Sequence, residues 1–316
     1  MKVSGKKVLV TGGAGFVPSH VVDAFAEAGA IVTALDNFAA GKKENLKQSK
    51  DKIEIIDMDI RDKKVAQLIK KQDIVIHMAA NADVPVSVEK PDYDFQNNVI
   101  GSYNILKACL DSNIEKFVFA SSAAVYGEPQ YTPMDEKHPT LPRSPYGAAK
   151  LGIERLGIAY NATYDFPFTA IRIFNTYGVR QPRYVMYDLL RKLYKDPTKL
   201  EVLGTGDQIR DYSYVTDTAQ CFLLATQSDH SIGEVYNVAG GNPISIKDLS
   251  KRLINVLGLN DVDVTFTGKS WKGDINTLVA DISKAKDELG FKPKVSIEDG
   301  INLLESWLSE QEVLHK

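Results

Sequence analysis

The fold class this sequence predicts is α/β: a doubly wound parallel sheet followed by a smaller C-terminal α/β region. Three observations predict it. Short apolar runs alternate with helical patterns through the first half of the chain. The runs are almost continuously apolar, as strands are when helices cover both faces of a sheet. The first run ends in a glycine-rich turn that leads into a helical pattern, the arrangement of a phosphate-binding βα unit.

In order, the runs are KKVLVT (6–11), AIVTALD (30–36), KIEIID (52–57), DIVIHMA (73–79), KFVFAS (116–121) and FTAIRIF (168–174). Between them the periodicity predicts helices near 18–28, 62–71, 92–112 and 146–164. After about residue 176 the rhythm breaks. Helical patterns near 184–195, 216–227, 245–257, 281–289 and 297–314 alternate with short strands such as LEVLG (200–204) and EVYNVA (234–239). We expect residues 1–176 to form a first domain that also receives 212–238. Residues 177–316 are expected to form a smaller, discontinuous second domain. No Pro/Ser-rich linker divides them, so tight packing is expected.

The 316 residues are 44% hydrophobic and 25% charged, with a net charge of −3 and no basic block. This balance gives no support to nucleic-acid or membrane-surface binding. No run of 18 apolar residues is present, and MKVSGKKVLVTGG lacks the apolar core of a signal peptide, so a cytoplasmic protein without a membrane span is expected. Cys109 and Cys221 sit in helical apolar patterns and read as buried free thiols. No metal-ligand spacing stands out.

The turn is TGGAGFVPSH (11–20), with Gly12, Gly13 and Gly15 after an apolar strand. Glycines let the backbone approach a pyrophosphate, and a helix N-terminus offers N–H groups to it. Asp36 ends the second strand 24 residues after Gly12, where an acidic residue binds adenosine ribose hydroxyls and repels a 2′-phosphate. That predicts NAD rather than NADP, tempered by Lys42 and Lys43 nearby. Asp59 follows the third strand, placed for the adenine amino group. Ala79 and Ala80 follow the fourth, small enough for a cofactor to lie against the backbone. His77 inside that apolar strand reads as a satisfied core residue. Pro18 stands where such loops place a third glycine, but early in a helix a missing N–H breaks no bond. The site is therefore expected to keep NAD, with helix 18–28 displaced slightly outward or the facing side chains smaller.

SSAAVYG follows the fifth strand, and YGAAK opens a helix after Pro142 and Pro145. Tyr146 and Lys150 lie four apart and share a helix face. An ammonium nearby stabilises a phenolate, which would make Tyr146 a general base near neutral pH. Ser122, at a strand C-terminus, is placed to hydrogen-bond the same substrate oxygen.

TGGAGFVPSH, DN (36–37), DI (59–60), HMAA, NNV (97–99), SSAAVYG, YGAAK, RIFNTYG and GDQIRDYSYVTD occur in this order. Together they resemble the extended short-chain dehydrogenase/reductase family, specifically its nucleotide-sugar epimerases and dehydratases, over about residues 6–310. The resemblance implies a Rossmann-type domain and a substrate domain. It implies that Gly12, Gly15 and Phe16 hold the NAD pyrophosphate, Asp36 and Asn37 the adenosine ribose, and Asp59 and Ile60 the adenine. Ala79, Ala80 and Asn98 would line the cofactor channel. Ser122, Tyr146 and Lys150 would be the catalytic trio, the last two also touching the cofactor. Asn175 and Arg210 would touch the phosphates of a nucleotide-sugar, probed alongside Ser122 and Tyr146 as the substrate contacts.

Departures narrow this. Family dehydratases carry an Asp-Glu pair after the catalytic hydroxyl residue, decarboxylases a glutamate before V-Y-G, and 3,5-epimerases a cysteine in this turn; here Ala123 and Ala124 stand. The expectation is an NAD-dependent 4-epimerase of a UDP-sugar working through a 4-keto intermediate. The alternatives are a 4-keto reductase or dehydrogenase, and behind those a dehydratase or decarboxylase, or a non-catalytic NAD-binding protein. Trp271, where relatives have a phosphate-binding arginine, would either stack on the ligand or simply pack. Relatives dimerise through the helices corresponding to 92–112 and 146–164, so a homodimer is expected, with Ile105, Leu106, Leu110, Leu151 and Leu156 on those helices.

Overall fold

A computed structural model describes residues 1–269 and 275–314. In chain order its strands are β1 (Lys7–Thr11), β2 (Ile31–Asp36), β3 (Ile53–Asp57), β4 (Ile74–His77), β5 (Lys116–Ser122), β6 (Phe168–Ile173), β7 (Asn175–Tyr177), β8 (Lys199–Val202), β9 (Ile209–Tyr214), β10 (Val235–Val238), β11 (Pro243–Ser245), β12 (Asp263–Phe266) and β13 (Thr277–Leu278). The α-helices are α1 (Phe16–Glu27), α2 (Val65–Ile69), α3 (Val84–Glu89), α4 (Pro91–Asp94), α5 (Ser102–Leu110), α6 (Pro145–Tyr164), α7 (Val185–Lys195), α8 (Val215–Gln227), α9 (Ile246–Val256), α10 (Ser283–Leu289) and α11 (Ile297–Leu314).

Seven parallel strands form the main sheet in the order β10-β6-β5-β4-β1-β2-β3. The strand order reverses between β1 and β4, which opens a crevice at their C-terminal ends. Strand side chains alternate between faces. Val8 and Val10 therefore enter one core with Val21, Val22 and Phe25 of α1 and Phe222 of α8. Leu9 enters the other with Leu106 of α5, Ile153 of α6 and the rings of Phe117 and Phe168. The edge strand β3 departs from the doubly buried pattern: Ile55 is exposed.

The chain then leaves and returns. A second sheet joins β7, β11 and β13 to β9, and a two-stranded ladder joins β8 to β12. Their core is built from Met186, Leu189, Leu193, Tyr212, Leu249, Leu253 and Leu304. Between these, α8 packs on α1 and β10 pairs with β6 in the main sheet. β9 itself was not expected from the sequence. Its polar residues, Arg210, Asp211 and Ser213, are buried by the neighbouring strands rather than by their own apolarity.

The expected helix 92–112 is interrupted. Residues 95–101 form a π-helical stretch between α4 and α5. Such wide turns recur at functional sites, and this one carries Asn97 and Asn98.

Candidate active site

A cleft of about 1130 Å³ runs along the C-terminal ends of the main sheet and under the smaller lobe. Gly12, Gly15, Phe16 and Pro18 line one end, Ser122, Tyr146 and Lys150 its middle wall, and Gln208, Arg210 and Tyr212 the smaller lobe's wall. Arg210 and Tyr212 alternate along β9, and Gln208 immediately precedes it, so one pleat face of that strand points inward.

The loop between β1 and α1 follows from its glycines. Gly12 has φ +70°, and a Cβ there would lie 2.8 Å from the Ala79 Cα. The backbone of the loop and that of the β4 end can touch only because Gly12 has no side chain. Helix α1 starts at Phe16, two residues earlier than expected, with Gly15 as a cap that offers no side chain. Pro18 is thus the third helical residue. The first intrahelical bond of the helix is Ser19 N–H to Gly15 O, 3.1 Å, so the proline removes no hydrogen bond. Its ring packs over Gly15 and faces the cleft.

Asp36 is buried at the end of β2. Its carboxylate accepts from Ala14 N (3.0 Å) and Phe38 N (2.8 Å). Burial nevertheless pushes its pKa up, with those two bonds opposing. A Cβ on Gly41 would come within 2.9 Å of both Asp36 oxygens, so that glycine keeps the carboxylate accessible. Asn37 donates to Asp59 at 2.9 Å. The Arg61 guanidinium, forked onto Asp59, holds that carboxyl well below the usual range. Asp59 and Ile60 line the cleft, as do Ala79 and Ala80.

Asn98 does not line it. The residue is 1% exposed, and its amide is used behind the wall. It accepts from Asn81 N (2.7 Å) and donates to Asn81 O (2.9 Å) and Asp94 (2.8 Å). Asn97 faces the cleft instead, because the π turn rotates successive residues differently from an α-helix. His77 is core, as expected, but not fully satisfied. Thr11 Oγ1 accepts from Met78 N and Ala79 N, both 3.1 Å, and so gives its own proton to His77 Nδ1 at 2.7 Å. The ring then carries its proton on Nε2, which has no partner among the described residues. Burial pushes its pKa down to about 3.

Ser144 caps α6 by accepting from Gly147 N at 3.1 Å, and Pro145 opens the helix. A Cβ on Gly147 would lie 2.5 Å from Ala124 O, so only glycine brings Tyr146 this close to the turn after Ser122. The Ser122 hydroxyl accepts from Ala124 N at 3.2 Å and acts on the Tyr146 phenol to lower its pKa. Lys150 Nζ donates to Ala120 O at 2.8 Å and lies over the rings of Phe119 (4.9 Å) and Tyr146 (5.8 Å). Burial pushes Lys150 down to about 8, and Asp94 opposes this. The phenol of Tyr146 is not held low by Lys150, contrary to expectation. Burial raises it, and the Ser122 hydroxyl acts the other way. Burial outweighs any effect of the lysine's charge, which lies over the ring at 5.8 Å from its centroid.

Asn175 lines the cleft with its Oδ1 buried and without a partner among the described residues. Arg210 lines the opposite wall and donates to Ile209 O (2.9 Å) and Asn276 O (3.1 Å). Trp271 lies outside the described residues. Asp83, Arg183 and Tyr184 also line the cleft, though no motif in the sequence singles them out. Arg183 pairs with Asp83 across the cleft and stacks on Tyr184, itself at φ +83°. The pair joins residues 100 apart, and no local pattern signals it. Among the described residues, no cluster of three or more His, Cys, Asp or Glu is disposed to hold a metal, and no helix is long and apolar enough to cross a membrane.

A family model described as GDP-mannose 4,6 dehydratase matches residues 9–304. A protein of Methanocaldococcus jannaschii, provisionally named UDP-glucose 4-epimerase, is 38% identical over 308 residues, covering 95% of this chain and 98% of its own. The structure of a UDP-N-acetylglucosamine 4-epimerase from Methanobrevibacter ruminantium, in complex with UDP-N-acetylmuramic acid, superposes with a TM-score of 0.90 at 35% identity, covering 98% of this chain and 99% of that one. A dTDP-glucose 4,6-dehydratase from Streptomyces venezuelae, solved with NAD bound, gives 0.90 at 28% identity, covering 98% of each. Sheet order, cleft and sequence agree, and the chain belongs to the nucleotide-sugar epimerase/dehydratase family of the short-chain dehydrogenase/reductase type.

Proposed function

We propose that this protein is an NAD-dependent 4-epimerase of a UDP-sugar. The observation that carries the reading is the pair of methyl groups after Ser122. Ala123 and Ala124 both line the cleft beside the trio, where elimination chemistry would need an acid and a base. Relatives with dehydratase names are present, and it is this pair of alanines that speaks against their reaction here.

The residues fit NAD. The uncapped first turn of α1 opens on the cleft and suits a pyrophosphate held by Gly12, Gly15 and Phe16. Asp36 presents a carboxylate to a ribose, flanked by Asn37, in the space that Gly41 leaves. Asp59 and Ile60 suit the adenine, and Ala79 and Ala80 the nicotinamide half. NAD supplies a reversible hydride acceptor for the sugar's C4 carbinol. Tyr146 takes the 4-hydroxyl proton and gives it back, while Ser122 holds the same oxygen. Lys150, fixed on Ala120 O, brings a positive charge to that end of the cleft and holds the nicotinamide ribose. Asn175, with its open Oδ1 and its amide, and Arg210 hold the substrate phosphates. Methyl groups at 123 and 124 leave the ketose room to present its other face.

We assign cofactor binding to 1–176 with 212–238, and substrate binding to the rest of 177–316. We also propose a homodimer through the helices of 91–110 and 145–164. Ile105 and Leu106 are not available to it, since both are in the core. Phe95, Ile100 and Tyr103 are exposed on the same segment and take their place. A monomer by light scattering would refute that.

The function is tested by incubating the protein with UDP-glucose, UDP-galactose, UDP-N-acetylglucosamine and UDP-glucuronate and separating the products. Interconversion at C4 without net NADH is expected, and Tyr146→Phe should lower kcat by about 10²–10⁴-fold. Stoichiometric NADH would mean a dehydrogenase, and no product from any sugar would sink the UDP-sugar reading.

A further inference from the structure

Glu154 and Arg172 form an ion pair under the cleft that none of the roles above uses. Their side chains are 0% and 1% exposed. The guanidinium is forked onto the carboxylate, Nη2 to Oε1 at 2.6 Å and Nε to Oε2 at 3.1 Å. Arg172 Nη1 donates to Tyr126 Oη (2.8 Å) and to Glu136 O (3.2 Å), and Tyr126 donates to Asn237 Oδ1 (2.7 Å). Ser121 Oγ donates to Glu154 Oε2 at 2.6 Å. One carboxylate on α6 is thereby tied to β5 and β6 directly, and to β10 through Tyr126.

For stability alone this is a poor device. Desolvation offsets most of the attraction in a buried pair, and apolar side chains of similar volume often serve as well. What the fork adds is direction, because both groups are planar and meet in one geometry. Its location gives that direction a use. Glu154 is one helical turn beyond Lys150, and Ser121 immediately precedes Ser122. Ala120, which anchors Lys150, precedes Ser121. Strand end and helix are thus clasped at successive points.

We propose that Glu154 is a positioning residue: held by Arg172 and Ser121, its carboxylate sets where the helix bearing Tyr146 and Lys150 sits against the strand end bearing Ser122. The proposal rests on the roles assigned to that trio.

Glu154→Gln alone would strand a buried guanidinium and endanger the fold. The test therefore uses the full chain carrying Glu154→Leu with Arg172→Met, which removes both charges and keeps volume, and separately Ser121→Ala, which cuts only the tie to the strand. Tyrosine is labelled with ¹³C at Cζ. The Tyr146 signal is assigned by its loss in Tyr146→Phe, and Ser122→Ala supplies its position without the Ser122 hydroxyl. The Tyr146 signal is expected to move toward the Ser122→Ala position in both variants, further in the double one. Turnover should fall about 10–100-fold with KM within about threefold. A Tyr146 signal unmoved in the folded variants overturns the proposal and leaves the pair a structural one, whatever the melting temperature does. Ser121→Ala decides alone if the double variant does not fold. If the wild-type chain turns over no nucleotide-sugar, the epimerase reading fails, while the NMR comparison still decides this one.

Discussion

Replacing Gly147 by alanine should separate the geometry of the trio from the stability of the fold. The new Cβ would sit 2.5 Å from Ala124 O, 3.1 Å from Ala124 C and 3.1 Å from Pro142 Cβ. A carbon–oxygen contact relaxes to roughly 3.3 Å, so the helix start and the Ser122 turn must part by roughly 0.8 Å. That is close to the 1 Å misplacement that lowers a rate about 10²-fold. Overpacking costs about 1–3 kcal/mol, and alanine returns about 1 kcal/mol of helix propensity. The net loss is about 0–2 kcal/mol. With about 2.1 cal/mol/K of unfolding entropy per residue, the melting temperature falls by at most about 3 °C. Epimerisation of the active UDP-sugar and a thermal melt read the two quantities. We expect kcat to fall about 10–100-fold with little change in melting. A kcat within about twofold of wild type would refute the reasoning, because it would mean the gap between turn and helix is not what aligns Ser122 with Tyr146.

Further outcomes follow from the same geometry. Lys150 has its pKa lowered by burial from 10.5 to about 8, so the folded state gives up this proton more readily than the unfolded chain. The cost, up to about 3 kcal/mol, is full below about pH 8 and fades as pH rises toward 10.5. Lys150→Met should therefore abolish turnover yet raise the melting temperature at pH 7, with the gain shrinking by pH 10; equal or lower melting at pH 7 speaks against it. Asp36→Asn should weaken NAD about 10-fold and narrow the preference over NADP, measured by titration calorimetry, and an unchanged NAD/NADP ratio would remove Asp36 from the ribose. Because burial raises the Asp36 pKa, NAD affinity in the wild type should start to fall at a pH above that of an exposed carboxylate. Pro18→Gly should leave NAD affinity within about threefold and cost about 1 kcal/mol of stability; a tenfold gain in affinity would show that the ring obstructs the loop.

What the sequence determined by itself was whatever depends on neighbours along the chain. Strand alternation, the glycine turn, the carboxylate at the β2 end and the four-residue spacing of Tyr146 and Lys150 are set by backbone periodicity, and each is legible without a fold. Tertiary structure decided the rest. A π turn put Asn97 rather than Asn98 on the cleft wall, and nothing in NNV distinguishes them. The polar strand β9 is a strand because β7, β11 and β13 pair with it. Asp83 meets Arg183, and Glu154 meets Arg172, only because the sheet brings distant segments together. Even the charge on the trio followed this division: the lysine–phenol spacing was readable, but the sign of the shift on Tyr146 came from burial, which no local pattern reports.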